Sequence, residues 1–129
     1  MANSYRDLIA WQRSVELSVE VYRFTADFPR EENLWSHLAD SRAAVSIASN
    51  IAEGYGRNSR SEYRNFLGIA RGSVLEPLTQ LEIVKKLGLG KAELLKKAES
   101  HAEEVGKIIW AIRKSLDTAP QRRSASPEP

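Results

Sequence analysis

Cysteine is absent from all 129 residues. That excludes disulfide bonds and thiolate metal sites, and this residue type leaves the redox compartment unmarked. Histidine occurs only at His37 and His101. Metal centres inside helical bundles commonly use Glu-x-x-His pairs on facing helices, yet the residues three places before these histidines are Leu34 and Ala98. The chain carries no GxxxxGK[ST] loop and no nucleophile elbow, and Gly54-Tyr55-Gly56 is too short to cradle a phosphate. Long apolar runs are missing too, so no segment reaches the ~18–20 residues of a membrane span. The opening MANSYRDLIAWQRSVELS is interrupted by Arg6, Asp7, Arg13 and Glu16, which does not fit a standard signal peptide. No stretch alternates apolar and polar residues with the period of a strand. The expectation is an all-α, non-enzymatic, cytoplasmic protein of bacterial type, without cofactor, metal or membrane partner.

What remains is an ordinary globular composition, 42% hydrophobic and 28% charged, with a net charge of +2. The charge is unevenly spread. Residues 1–40 hold four basic and seven acidic side chains, residues 41–75 five basic and two acidic, and residues 76–129 ten basic and eight acidic. All five basic residues of the middle stretch are arginine, whose planar fork matches phosphate in a bidentate way that lysine does not.

Apolar spacing predicts four helices. The first runs from about Asp7 to Asp27, with Leu8, Trp11, Val15, Val19, Tyr22 and Ala26 as its inward stripe, and stops at Phe28-Pro29. The second runs from about Glu31 to Glu53, with Leu34, Leu38, Val45, Ala48 and Ala52 inward, and Gly54 or Gly56 ends it in the left-handed conformation. The third opens on Ser59-Arg60-Ser61-Glu62, a capping-box pattern, and continues through Phe66, Ile69, Ala70, Ser73, Leu81, Val84 and Leu87 to Gly88-Leu89-Gly90. Pro77 should kink it near Ser73–Pro77. The fourth runs from about Lys91 to Leu116, with Leu94, Ala98, Ala102, Val105, Ile109, Ile112 and Leu116 inward. Long helices and short loops predict an up-down-up-down four-helix bundle over residues 1–117. The Pro/Ser-rich stretch 118–129, TAPQRRSASPEP, is expected to be a disordered tail.

More apolar surface is present than one bundle requires. Ala43 to Ala52 is apolar around most of its circumference, and Leu67, Val74, Leu75, Leu78, Trp35 and Trp110 lie off the expected stripes. A second apolar surface for self-association follows. Within the second helix, Ser46, Ser49 and Asn50 read as hydrogen-bonding groups between or along helices, and Glu53 as a partner for Arg57 or Arg60 that fixes the turn. Gly68 and Gly72, four apart, mark a close helix approach. The candidate nucleic-acid contacts are Arg42, Arg57, Arg60, Arg64 and Arg71, with Tyr55 and Tyr63 among them as stacking groups. The competing reading of these arginines is a solvated, salt-bridged face.

The run AVSIASNIAEGYGRNSRSEYRNFLGIARGSVLE (44–76) resembles the signature of the 23S ribosomal RNA intervening-sequence protein family, roughly SIxxNIAEGxxR…FLxIAxGSxxE. It matches Ser46, Asn50, Glu53, Gly54, Arg57, Gly72, Ser73 and Glu76 among others, and DLIAWQRSVELSVEVYRFTADFP is similar to the family's opening, so the likeness spans about residues 5–116. Two positions depart from it: Ala48 stands where relatives usually have proline, and Pro77 where they usually have leucine. The resemblance implies four-helix bundles assembled into a barrel-like homopentamer, with no established activity. A related branch, the accessory variability protein of diversity-generating retroelements, binds nucleic acid and a reverse transcriptase through basic surface. By that likeness Arg57, Arg60, Arg64 and Arg71 become candidates for RNA or DNA contact, and the function implied is that of a nucleic-acid-binding adapter. The alternative is a protein–protein scaffold without nucleic acid, consistent with the small net charge.

Overall fold

The computed structural model describes residues 4–26, 28 and 42–118. A single 3₁₀ turn at Tyr5–Asp7, capped by the Ser4 hydroxyl, leads into α1 (Ile9–Thr25). Then follow α2 (Arg42–Gly56), α3 (Arg60–Leu87) and α4 (Ala92–Thr118). Among the described residues the regular elements are this turn and four α-helices, with no strand. Residues 31–41, which the spacing assigns to the start of the second helix, and the tail from residue 119 lie outside them.

Helix α2 packs on α1 and α3, and α4 packs on α3 and α1. The residue pairings give directions. Ser46 faces Ser73 and Gly54 faces Phe66, so α2 and α3 run antiparallel. Gly68 faces Arg113 while Lys85 meets Glu99, so α3 and α4 do too. Arg13 with Glu104 and Glu20 with Lys97 show the same for α1 and α4. One core cluster joins all four helices through Leu17, Ile47, Ile51, Leu67, Val105 and Ile109, each fully buried. A second, at the α3–α4 turn, gathers Phe24, Phe28, Leu81, Val84 and Leu95. Burying a side chain of this size is worth about 1.5–3 kcal/mol.

The inward rows differ in part from those read from spacing. On α1 the buried row is Ala10, Ser14, Leu17, Val21 and Phe24, whereas Val19 and Tyr22 are 42% and 66% exposed. Two apolar rows share this helix. The core took the one with the smaller side chains, because Ala10 and Ser14 let α1 approach its neighbours closely. Ser14 counts as small rather than polar here, since its hydroxyl donates to the Ala10 carbonyl at 2.6 Å. On α2 the buried row includes Ala43, Ala44, Ile47 and Ile51, with Val45 exposed. On α3, Leu67 and Val74 are core and Ile69 and Leu87 are exposed. The inward row expected for α4 holds at Ala98, Ala102, Val105 and Ile109.

Helix ends also show what the glycines do. Gly88 (φ 69°) closes α3 in the left-handed region: its N–H donates to the Lys85 carbonyl, and the Leu89 N–H to the Val84 carbonyl at 3.2 Å. Gly54 and Gly56 are inside α2, and neither has a positive φ. Gly54 serves packing, because a Cβ there would stand 2.5 Å from the Phe66 Cβ. Helix α3 continues through the buried Pro77 as one element.

Candidate nucleic-acid interface

The junction of α2 and α3 is built by short-range polar contacts. Ser59 caps α3, its hydroxyl accepting from the Glu62 N–H at 3.2 Å. Along α2, the Asn50 amide donates to the Ser46 carbonyl at 2.8 Å and to the Ser46 hydroxyl at 3.0 Å, and Ser46 reaches Ser73 of α3 at 3.4 Å. These residues therefore tie α2 to itself and to α3. Tyr63 is buried beneath the turn, edge-on to Tyr55 at 6.0 Å between ring centres. Burial, with Tyr55 adding in the same direction, pushes the Tyr63 phenol up to about 12.

The arginines chosen from the sequence fall into two groups. Arg57 donates to Glu53 at 2.9 Å, lies 3.7 Å from Glu62 and stacks on the Phe66 ring at 5.1 Å. Arg64 is paired with Asp117 at the end of α4. Such half-exposed pairs contribute little to stability, ~0–1 kcal/mol, yet they balance the charge that a phosphate needs. Arg42 and Arg60 open α2 and α3. Arg71 is different. It is exposed and makes no ion pair with a described residue.

Arg71 lies on a groove between α3 and α4 of about 1000 Å³. Gly68, Gly72 and Gly106 line it, where larger side chains would narrow the gap. Ile69, Leu75 and Trp110, 48%, 64% and 47% exposed, give it apolar walls. Its charged residues are Arg71, Lys107, Arg113 and Glu103. Arg113 is held in place by its Nε, which donates to the Arg64 carbonyl at 3.1 Å. Lys114 lies 5.0 Å from the Trp110 ring centre. Spacing in α4 carried this signal, since Glu103, Lys107, Trp110 and Lys114 recur at steps of three and four. From the sequence, the basic stretch 41–75 stands out more, and Trp110 reads only as surplus apolar surface. Glu76 is exposed on α3.

A polar seam joins α1 and α4 away from this groove. Glu20 is 2.6 Å from Nδ1 of His101 and 3.9 Å from Lys97, and Arg13 bonds Glu104 at 3.0 Å. His37 lies outside the described residues. Among the described residues, no group of three or more His, Asp or Glu side chains is placed to hold a metal ion, and no helix is long and apolar enough to cross a membrane.

Comparisons with known proteins agree with this architecture. The model of a family described as 23S rRNA-intervening sequence protein matches residues 6–111. A crystal structure of a protein of unknown function from the S23 ribosomal protein family of Bacteroides thetaiotaomicron shares 24% identity, covering 82% of this chain and 96% of its own, with a TM-score of 0.71. At that identity the likeness is one of fold. No curated protein matches.

Proposed function

The chain belongs to the 23S rRNA-intervening sequence protein family, and from that premise we propose that it is a non-catalytic adapter that self-associates and engages RNA or DNA through basic surface. The observation that carries this reading is the convergence of basic side chains distant in sequence on the α3–α4 face. Arg64, Arg71, Lys107, Arg113 and Lys114 gather there against Glu103 and Asp117. Arg42, Arg57, Arg60 and Tyr55 extend the candidate contacts to the adjoining junction. Repetition of this face in an oligomer multiplies the phosphates engaged, and affinity rises with that number.

The assembly in this reading is a barrel-like homopentamer of up-down-up-down bundles in the cytoplasm, with a reverse transcriptase as one kind of protein partner. Its support is the apolar surface outside the core: Val19 and Tyr22 on α1, Val45 on α2, and Ile83 and Leu87 on α3. A protein scaffold without nucleic acid is the second reading, favoured by the pairing of Arg57 with Glu53 and of Arg64 with Asp117.

The test is binding of the purified protein to labelled structured RNA and duplex DNA across a salt series, with its mass measured in the same buffers. Binding by an oligomer that weakens steeply with salt is expected, the slope counting the phosphates neutralised. An intact oligomer that binds neither nucleic acid at low salt selects the scaffold.

A further inference from the structure

We infer that the α3–α4 groove is a binding site for single-stranded nucleic acid, with Trp110 as the stacking platform and Arg71, Lys107 and Arg113 as phosphate partners. This rests on the reading that the protein engages RNA or DNA, and it narrows the main contact to the α3–α4 groove, on the side of α3 away from the α2–α3 junction.

Charge is the first argument. The groove presents Arg71, Lys107 and Arg113 against Glu103 alone, with Lys114 beside Trp110. Neither Arg71 nor Lys107 is neutralised by a described carboxylate. By contrast, Arg57 at the α2–α3 junction and Arg64 at the end of the α3–α4 face are each already paired. A polyanion entering the groove meets cations that have no ion pair to break.

Shape and chemistry supply the second. Proteins that bind single strands without strong sequence preference combine a basic groove with an exposed aromatic face, because every base has a flat face to stack. Trp110 is the half-exposed aromatic of the groove, with Lys114 next to its ring. The groove's volume, about 1000 Å³, suits more than one nucleotide. A Cβ on Gly72 would meet nothing within 4 Å, so the α3 wall stays flat where a base lies against it. In a duplex the bases are already stacked on each other, so Trp110 has nothing to hold. A second copy of this chain is the competing occupant, since Ile69 and Leu75 are apolar. The near-uniform sign of the rim beside an indole favours the flat-faced polyanion.

The test compares a labelled ten-nucleotide oligothymidylate with a duplex of equal length, using the full chain. Folding is checked by circular dichroism and assembly by mass. Expected are preference for the single strand, a loss of about tenfold in Trp110→Ala, retention of most affinity in Trp110→Phe, and a shallower salt dependence by about one unit in each of Arg71→Gln and Lys107→Gln. Three results overturn the assignment. One is unchanged single-strand binding in Trp110→Ala. Another is binding lost in an Arg57/Arg60→Ala variant but kept in Trp110→Ala, which puts the site at the junction. The third is a fall in mass for Trp110→Ala, which makes the groove a contact between copies. A wild-type protein that binds no nucleic acid at low salt removes the adapter reading itself, a separate result from any of these.

Discussion

Gly54 on α2 and Gly72 on α3 are both helical glycines, and they face different surroundings. Gly54 is buried, and the space of its missing side chain is filled by Phe66 and Tyr63 of α3. Gly72 is exposed, and the space of its missing side chain is empty. The α2–α3 contact is closed and tied by Ser46, Asn50 and Ser73. The α3–α4 contact opens into a groove beside a well-packed core. Glycine costs a helix up to ~1 kcal/mol relative to alanine. At Gly54 that cost is offset by packing. At Gly72 nothing among the described residues offsets it, and such an uncompensated residue is expected where function sets the choice.

The largest effect should come from breaking the closed contact. In Gly54→Ala, the new methyl stands 2.5 Å from the Phe66 Cβ, which is anchored to the α3 backbone and has little freedom to yield. Overpacking of this kind costs about 1–3 kcal/mol, more than the helix-propensity gain. Chemical denaturation should show a lower midpoint, and an unchanged midpoint would mean that α2 and α3 part more easily than the geometry implies.

A second prediction tests burial beneath the same junction. The Tyr63 phenol ionises near pH 10 in the unfolded chain and is pushed up to about 12 in the folded one. The folded state therefore holds its proton where the unfolded state has released it. This contribution is fully present below pH 10 and is lost as pH rises through 12, with an upper size on the order of 2 kcal/mol. Tyr63→Phe should flatten the stability profile between pH 10 and 12 and leave it unchanged at pH 7–9, apart from a small offset. A wild-type profile that is already flat there would show that the phenol is solvated in solution.

How much of this was legible beforehand follows from the range of each signal. The caps at Ser59 and Gly88 were readable because they depend on a few neighbouring residues. The inward row of α4 was readable because its other face is charged. The row of α1 was misplaced and that of α3 was right only in part, Ala70, Leu81 and Val84 being core while Ile69 and Leu87 are exposed, because both helices carry apolar residues on more than one side. Spacing alone does not say which row meets a neighbour, and Ser14, satisfied by its own helix, disguised the true one. The arginines were legible as a cluster, but their partners were not. Asp117 is 53 residues from Arg64 and comes beside it only when α3 and α4 pair. The groove was legible only by half for the same reason: the spacing of Glu103, Lys107, Trp110 and Lys114 marks its α4 wall, but the pairing of that wall with α3 shows in neither helix alone.

The smallest expected change sharpens the comparison most. Gly72→Ala adds a methyl with no atom to meet within 4 Å, on a helix whose backbone at that position is ordinary for any residue. It should raise stability by up to ~1 kcal/mol through helix propensity, a few degrees in Tm for a domain of this size. Gly68→Ala is the useful neighbour. Its methyl would meet the Arg113 guanidinium at 3.1–3.2 Å, the movable end of a long side chain, so its gain should be smaller. A stabilised Gly72→Ala protein with weakened single-strand binding would show a residue kept for its surface at the expense of its helix. A destabilised one would mean that something covers Gly72 in solution, as a neighbouring subunit would. The open groove would then be a closed contact after all, and Gly72 would belong with Gly54.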